Sequence, residues 1–193
     1  MSGRVVAVTM LSLDGVMQAP GRPDEDRRGR FAHGGWATPY AAMQQLGGDT
    51  ASSGALLFGR RTYQDFYSVW PQRKDSPYSA VLDNMRKYVA STTLKEPLPW
   101  KNSTLLRGDA AEAVAGLKRD PGTDLVTFGG GALVQSLMRR NLIDEYVLLI
   151  HPLVLGAGRR LFDDGGPFAT LRLVNSKTTP NGVVIATYQP AAS

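Results

Sequence analysis

Three consecutive glycines, Gly129-Gly130-Gly131, interrupt the most strongly patterned stretch of the chain. They follow an apolar run, Leu125-Val126-Thr127-Phe128, suited to a buried strand, and lead into an amphipathic segment, Ala132 to Arg140, suited to a helix. Glycine loses more backbone freedom on folding than any other residue, so three together cost free energy. Such a cluster persists where a backbone turns sharply or comes within touching distance of a ligand. At a strand-to-helix junction the natural ligand is an anion, because free N–H groups and the positive end of the helix dipole both point there.

The rest of the chain alternates in the same way. Val5 to Met10, Gly54 to Phe58, Tyr88 to Thr92 and, more weakly, Ser103 to Leu106 read as strands. Thr38-Pro39 predicts a helix start, with the helix running from Tyr40 to Leu46 and stopping at Gly47-Gly48. A second helix follows Gly59 and ends before Pro71, with Thr62 and Asp65 in a capping arrangement. Tyr78 to Arg86 has helical spacing, and Asp109 with Glu112 opens a helix that ends at Lys118-Arg119. From Glu145 onward the pattern is strands alone: Tyr146 to His151, Leu171 to Val174 and Val183 to Tyr188, the last two joined by a Pro180-Asn181-Gly182 hairpin turn. The order predicts one α/β domain over residues 1–193, with a mostly parallel sheet finished by an antiparallel hairpin. A chain of 193 residues can bury about 70% of its unfolded surface.

Several function classes are disfavoured. Cysteine is absent, so there is no disulfide, thiol nucleophile or thiolate metal site. His33 and His151 stand in no ligand spacing, and no metal is expected. No apolar run approaches the roughly 20 residues of a membrane helix, and the Val5-Val6-Ala7-Val8 run lacks the cleavage site of a signal sequence. The expectation is a cytoplasmic protein without a membrane partner. The net charge of +5 favours an anionic ligand, but no basic run exceeds two residues and no aromatic-basic interleaving marks a nucleic-acid binder. Gly21 to Gly35 reads as a mobile charged flap, with Asp24, Glu25 and Asp26 on its solvated face, and the three tryptophans read as core or rim packing.

Two glycine motifs fail as nucleotide signatures. Gly54-x4-Gly59-Arg60-Arg61-Thr62 lacks the phosphate-loop lysine, and its spacer is a buried strand. Gly156-Ala157-Gly158-Arg159-Arg160 lacks the third glycine of a dinucleotide fingerprint and is followed by strands. What remains is a set of strand ends with anion-friendly groups: Asp14-Gly15, Gly59 to Thr62, Ser91-Thr92 and Gly129 to Gly131. In a parallel sheet, ligands bind beyond the carboxyl ends of the strands. One extended phosphorylated ligand accounts for all four turns.

These residues resemble the dihydrofolate reductase-like superfamily, and most closely the reductase domain of the bifunctional riboflavin-biosynthesis deaminase–reductase. The resemblance rests on Ser12-Leu13-Asp14-Gly15, Gly59-Arg60-Arg61-Thr62-Tyr63, Phe128-Gly129-Gly130-Gly131, Leu142 to Tyr146 and His151 to Gly156, in that order. It implies the three-layer fold of that superfamily, NADPH as hydride donor, a small heterocyclic substrate and a homodimer. Arg60, Arg61, Ser91 and Thr92 would meet the 2′-phosphate and neighbouring phosphates, with Gly59 and Thr62 at the same helix start. Gly129, Gly130, Gly131, Ala132 and Leu133 would offer N–H groups to the pyrophosphate, and relatives hold the first two glycines of such a turn in a cis peptide. Thr9, Leu13 and Gly15 would face the nicotinamide, with Asp14 the candidate for orienting or protonating the substrate. The best single activity is reduction of 5-amino-6-(5-phosphoribosylamino)uracil. Dihydrofolate reduction is the alternative, although Thr38 to Leu46 lacks the carboxylate that grips a pterin in folate enzymes. A non-catalytic NADP-binding module is the other.

Overall fold

The computed structural model describes residues 3–46, 54–120, 122 and 124–191. Its first strand, β1 (Val5–Ser12), is buried along almost its whole length. Such a continuous apolar run fits only a strand covered on both faces. Strands β2 (Gly54–Gly59), β3 (Lys87–Ala90), β4 (Ser103–Leu106), β5 (Asp124–Phe128), β6 (Glu145–His151), β7 (Leu171–Thr178) and β8 (Val184–Pro190) complete one sheet. The spatial order is β4-β3-β2-β5-β1-β6-β8-β7. Pairing is parallel from β4 to β6 and antiparallel from β6 through β8 to β7. The predicted mostly parallel sheet with an antiparallel C-terminal hairpin is the observed one.

Helices cover both faces. Helix α1 (Arg60–Val69) and α2 (Pro77–Asn84) lie over β2 and β3, where Tyr63, Leu82 and Trp100 close on Leu56, Phe58 and Val89. On the opposite face α3 (Ala110–Leu117) and α4 (Gly131–Arg139) press Val114, Leu133, Val134 and Leu137 against Val5, Ala7, Leu57 and Leu125. Each fully buried side chain of this size contributes about 1.5–3 kcal/mol. No helix among the described residues is long and apolar enough to cross a membrane.

Three local expectations are corrected. The helix expected over Tyr40 to Leu46 is a pair of 3-10 turns, Thr38–Tyr40 and Ala42–Gln45, broken where Ala41 adopts φ 49°; Gly47-Gly48 falls outside the described residues. Thr62 is no cap, because α1 already starts at Arg60 behind Gly59. The segment Gly21 to Gly35 is not a free flap. Arg22 pairs with Asp65 of α1, the Glu25 carboxylate accepts the N–H groups of Gly21 and Arg22, and Trp36 Nε1 donates to the Gln18 carbonyl at 2.8 Å.

Candidate functional site

Because β2 and β5 are neighbouring parallel strands, α1 and α4 begin side by side at the same sheet edge. A Cβ on Gly59 would lie 3.7 Å from Leu133 Cβ, and one on Gly130 would lie 3.6 Å from Thr62 Oγ1. Helical geometry leaves the first N–H groups of both helices without intrahelical acceptors. The two positive dipole ends therefore add over one spot.

The side chains there intensify that charge rather than offset it. Helix α3 behaves as an ordinary helix should: Asp109 accepts the Glu112 N–H at 2.9 Å, and both acids complement the dipole. Neither α1 nor α4 has an acid in its first turn, and α1 opens with Arg60 and Arg61. Arg28, partial burial, Arg60 and Arg159 lower the pKa of the Arg61 guanidinium, with Asp26 opposing. Arg60, Arg61 and Arg159 have no ion-pair partner among the described residues.

The glycine turn is built to bring backbone close. Gly129 and Gly130 have φ 60° and 69°, a conformation that side-chain-bearing residues rarely adopt. A Cβ on Gly131 would fall 1.7 Å from Met17 Cε. The expected cis peptide is absent: the Gly129–Gly130 bond is trans, and two successive left-handed residues make the reversal instead. Gly129 also spends its N–H on the Val8 carbonyl at 2.9 Å, so the donors free for a ligand start at Gly130.

These elements wall a cleft of about 980 Å³, at the upper end of ordinary ligand sites. Thr9, Gly59 to Thr62, Ser91, Thr92 and Gly129 to Leu133 all line it. The Thr9 hydroxyl is buried without a hydrogen-bond partner, as is that of Thr127 beneath Gly130. Ser91 Oγ accepts the N–H groups of Thr93 and Leu94 at 3.1 and 3.0 Å and lies 3.5 Å from Thr93 Oγ1.

Leu13, Asp14 and Gly15 do not line the cleft. Leu13 is largely exposed, and Gly15 forms a turn at φ 79°. Asp14, expected to serve the substrate, is a structural anchor. It accepts the Ser12 hydroxyl at 2.6 Å and the N–H groups of Leu155 and Gly156 at 3.1 and 2.9 Å. Those bonds, the Ser12 hydroxyl first, lower its pKa to about 2. It has no proton to give near neutral pH.

Other residues enter that the sequence did not single out. Arg28 and Arg159 both reach the cleft, although Arg159 belongs to the failed Gly156-Ala157-Gly158 fingerprint. Glu25 and Asp26, expected on a solvated face, are partly buried and line the cleft too. Burial raises the Glu25 pKa against the lowering by its backbone N–H bonds. Gln18 is 4% exposed, and nothing in its sequence neighbourhood marks it.

A parallel sheet with an antiparallel C-terminal hairpin, helices on both faces and an anion-seeking cleft at its carboxyl edge defines a dihydrofolate reductase-like α/β domain. The chain belongs to the RibD C-terminal domain family, which it matches over residues 4–185. It is 32% identical over 137 residues to the uncharacterized protein YyaP of Bacillus subtilis strain 168, covering 69% of this chain and 72% of that one. Among solved structures it is similar to a candidate riboflavin biosynthesis protein from Shewanella sp. PV-4, with TM-score 0.67, 22% identity and complete coverage of both chains. RibD of Acinetobacter baumannii superposes with TM-score 0.62 at 17% identity, covering 98% of this chain and 58% of that one.

Proposed function

We propose that the chain is an NADPH-dependent reductase of a pyrimidine- or pterin-like heterocycle, with 5-amino-6-(5-phosphoribosylamino)uracil the leading substrate. The observation that carries the reading is the pair of adjoining helix N-termini with no acid in either first turn, one of them opening with Arg60 and Arg61. Unliganded, the arginines oppose the α1 dipole and no acid offsets that of α4; a pyrophosphate relieves both. Family membership supplies the reductase class, and the unpartnered Thr9 hydroxyl in the cleft wall fits a cofactor that brings hydrogen-bonding groups.

NADPH supplies the hydride. The protein's work is placement. The N–H groups of Gly130 to Leu133 and the start of α1 seat the pyrophosphate, while Arg60, Arg61, Ser91 and Thr92 take the 2′-phosphate. Thr9 orients the nicotinamide end. Hydride added to the carbon of a C=N or C=O bond leaves the electron pair on the heteroatom, which needs a proton. With Asp14 committed elsewhere we assign that role to Glu25. Its Oε2 holds the backbone of Gly21 and Arg22, leaving Oε1 to carry the proton. We also propose a homodimer closing over the edge strand β7, which is exposed on nearly all its length and shows Leu173 and Val174 to solvent.

Fluorescence titration tests the cofactor assignment. Micromolar NADPH binding is expected, and Arg61→Gln should weaken NADPH about tenfold, or about 1.4 kcal/mol, with a smaller effect on NADH. Equal weakening of both would remove the 2′-phosphate assignment. Absence of NADPH binding would remove the function.

A further inference from the structure

Gln18 makes no contact that its sequence announces, yet it joins three separate segments. Its Nε2 donates to the carbonyls of Asp26 at 3.1 Å and Arg28 at 2.9 Å. Its Oε1 accepts the Arg159 N–H at 3.0 Å, and its main-chain carbonyl accepts Trp36 Nε1. Two of those residues, Arg28 and Arg159, send guanidinium groups into the cleft near Arg61. Like charges brought together repel, so something must hold the backbones that carry them. Asp26 pairs with Arg28, but no carboxylate among the described residues pairs with Arg159 or Arg61.

We infer that Gln18 is a positioning residue that holds Arg28 and Arg159 beside Arg61 as one anion-binding floor of the cleft. The neutrality of the carboxamide is what makes it suitable. A carboxylate at that place would neutralise the cations, and would set its oxygens against the Asp26 and Arg28 carbonyls it needs to hold. The amide instead offers two donors and one acceptor to backbone groups, in a buried setting where an unmade bond is costly. The charge of Arg159 and Arg61, which no carboxylate among the described residues pairs, is left for the ligand, with the Arg28–Asp26 pair beside it. This inference rests on the anion-binding reading of the cleft but not on the identity of the cofactor.

A double-mutant cycle tests it, with inorganic phosphate as the probe and the Arg159 Nε–H resonance as the reporter. Gln18→Met should weaken phosphate about tenfold, a loss typical of one well-placed charged contact. The Arg28→Gln/Arg159→Gln pair should weaken it at least as much. Adding Gln18→Met to that pair should then change nothing further, because a residue acting through the arginines has no effect once they are gone. A purely structural residue would add its full effect in the triple variant, and that result would overturn the inference. So would unchanged affinity in Gln18→Met, or no phosphate shift at Arg159 in the parent protein. If Gln18→Met does not fold, Gln18→Glu serves: it keeps the acceptor for Arg159 and loses both donors to the 26–28 segment. It should likewise weaken phosphate, and parent-like affinity in that variant would overturn the inference. NADPH titration of the same preparations reads the cofactor assignment separately, since binding of NADPH with no Gln18 effect on phosphate defeats this inference alone.

Discussion

At the scale of single residues, carboxylates show how environment decides chemistry. Asp14 and Glu25 look alike in sequence, each beside a turn. Asp14 is surrounded by donors and stays ionised to about pH 2, whereas burial pushes Glu25 the other way. A proton donor works only while protonated, so kcat should fall as pH rises through the raised Glu25 pKa. Glu25→Gln should remove that alkaline limb and lower kcat about 100-fold; a pH–rate profile of the variant identical to the parent's would return the proton to solvent. The sequence exposed the glycines, the arginine pair and the hydroxyls at the strand ends, because each departs from ordinary helix or strand chemistry. It could not expose Gln18, which binds Arg159 far along the chain, or Glu25, whose burial comes from the packed fold.

At the scale of elements, strand positions were legible because the period of two and the apolar runs survive without tertiary context. The helix expected after Pro39 was not, since Ala41 in a left-handed conformation splits it and no residue type at that position signals the break. The sharp turn at Gly129 was legible, but not its form, which is two left-handed glycines joined by a trans bond. The opening of α1 carries the clearest functional mark, because its arginines oppose the dipole. Replacing one by an acid should therefore favour the free protein and harm the complex. Arg60→Glu should raise the stability of the unliganded chain by about 0.3–1 kcal/mol, read as a higher Tm, while NADPH no longer protects it against melting. A lower Tm without ligand would show that Arg60 is structural.

At the scale of the whole molecule, the sheet has one well-covered end and one bare one. Strand β7 is an edge exposed on both faces, with Leu173 50% and Val174 45% accessible. Unprotected edges invite pairing, and proteins cover or charge them. In the homodimer proposed above this strand lies against its copy. Sedimentation should show a dimer that Leu173→Lys converts toward monomer; a monomeric parent would end the proposal. The overall class, a mostly parallel sheet finished by an antiparallel hairpin, followed from alternation of strand and helix. Which strands neighbour which did not, because β1 pairs with β5 and β6 rather than with its successors.

That placement of β1 bears on how the chain is made. Val5 to Ser12 leaves the ribosome well before its partners, which begin at Leu125 and Glu145. At about ten residues per second, the most apolar strand waits on the order of ten seconds for the neighbours that cover it. During synthesis β2, β3 and β4 can thus pair before the centre of the sheet closes, and the nascent chain depends in that interval on whatever shields Val5-Val6-Ala7-Val8 from other chains.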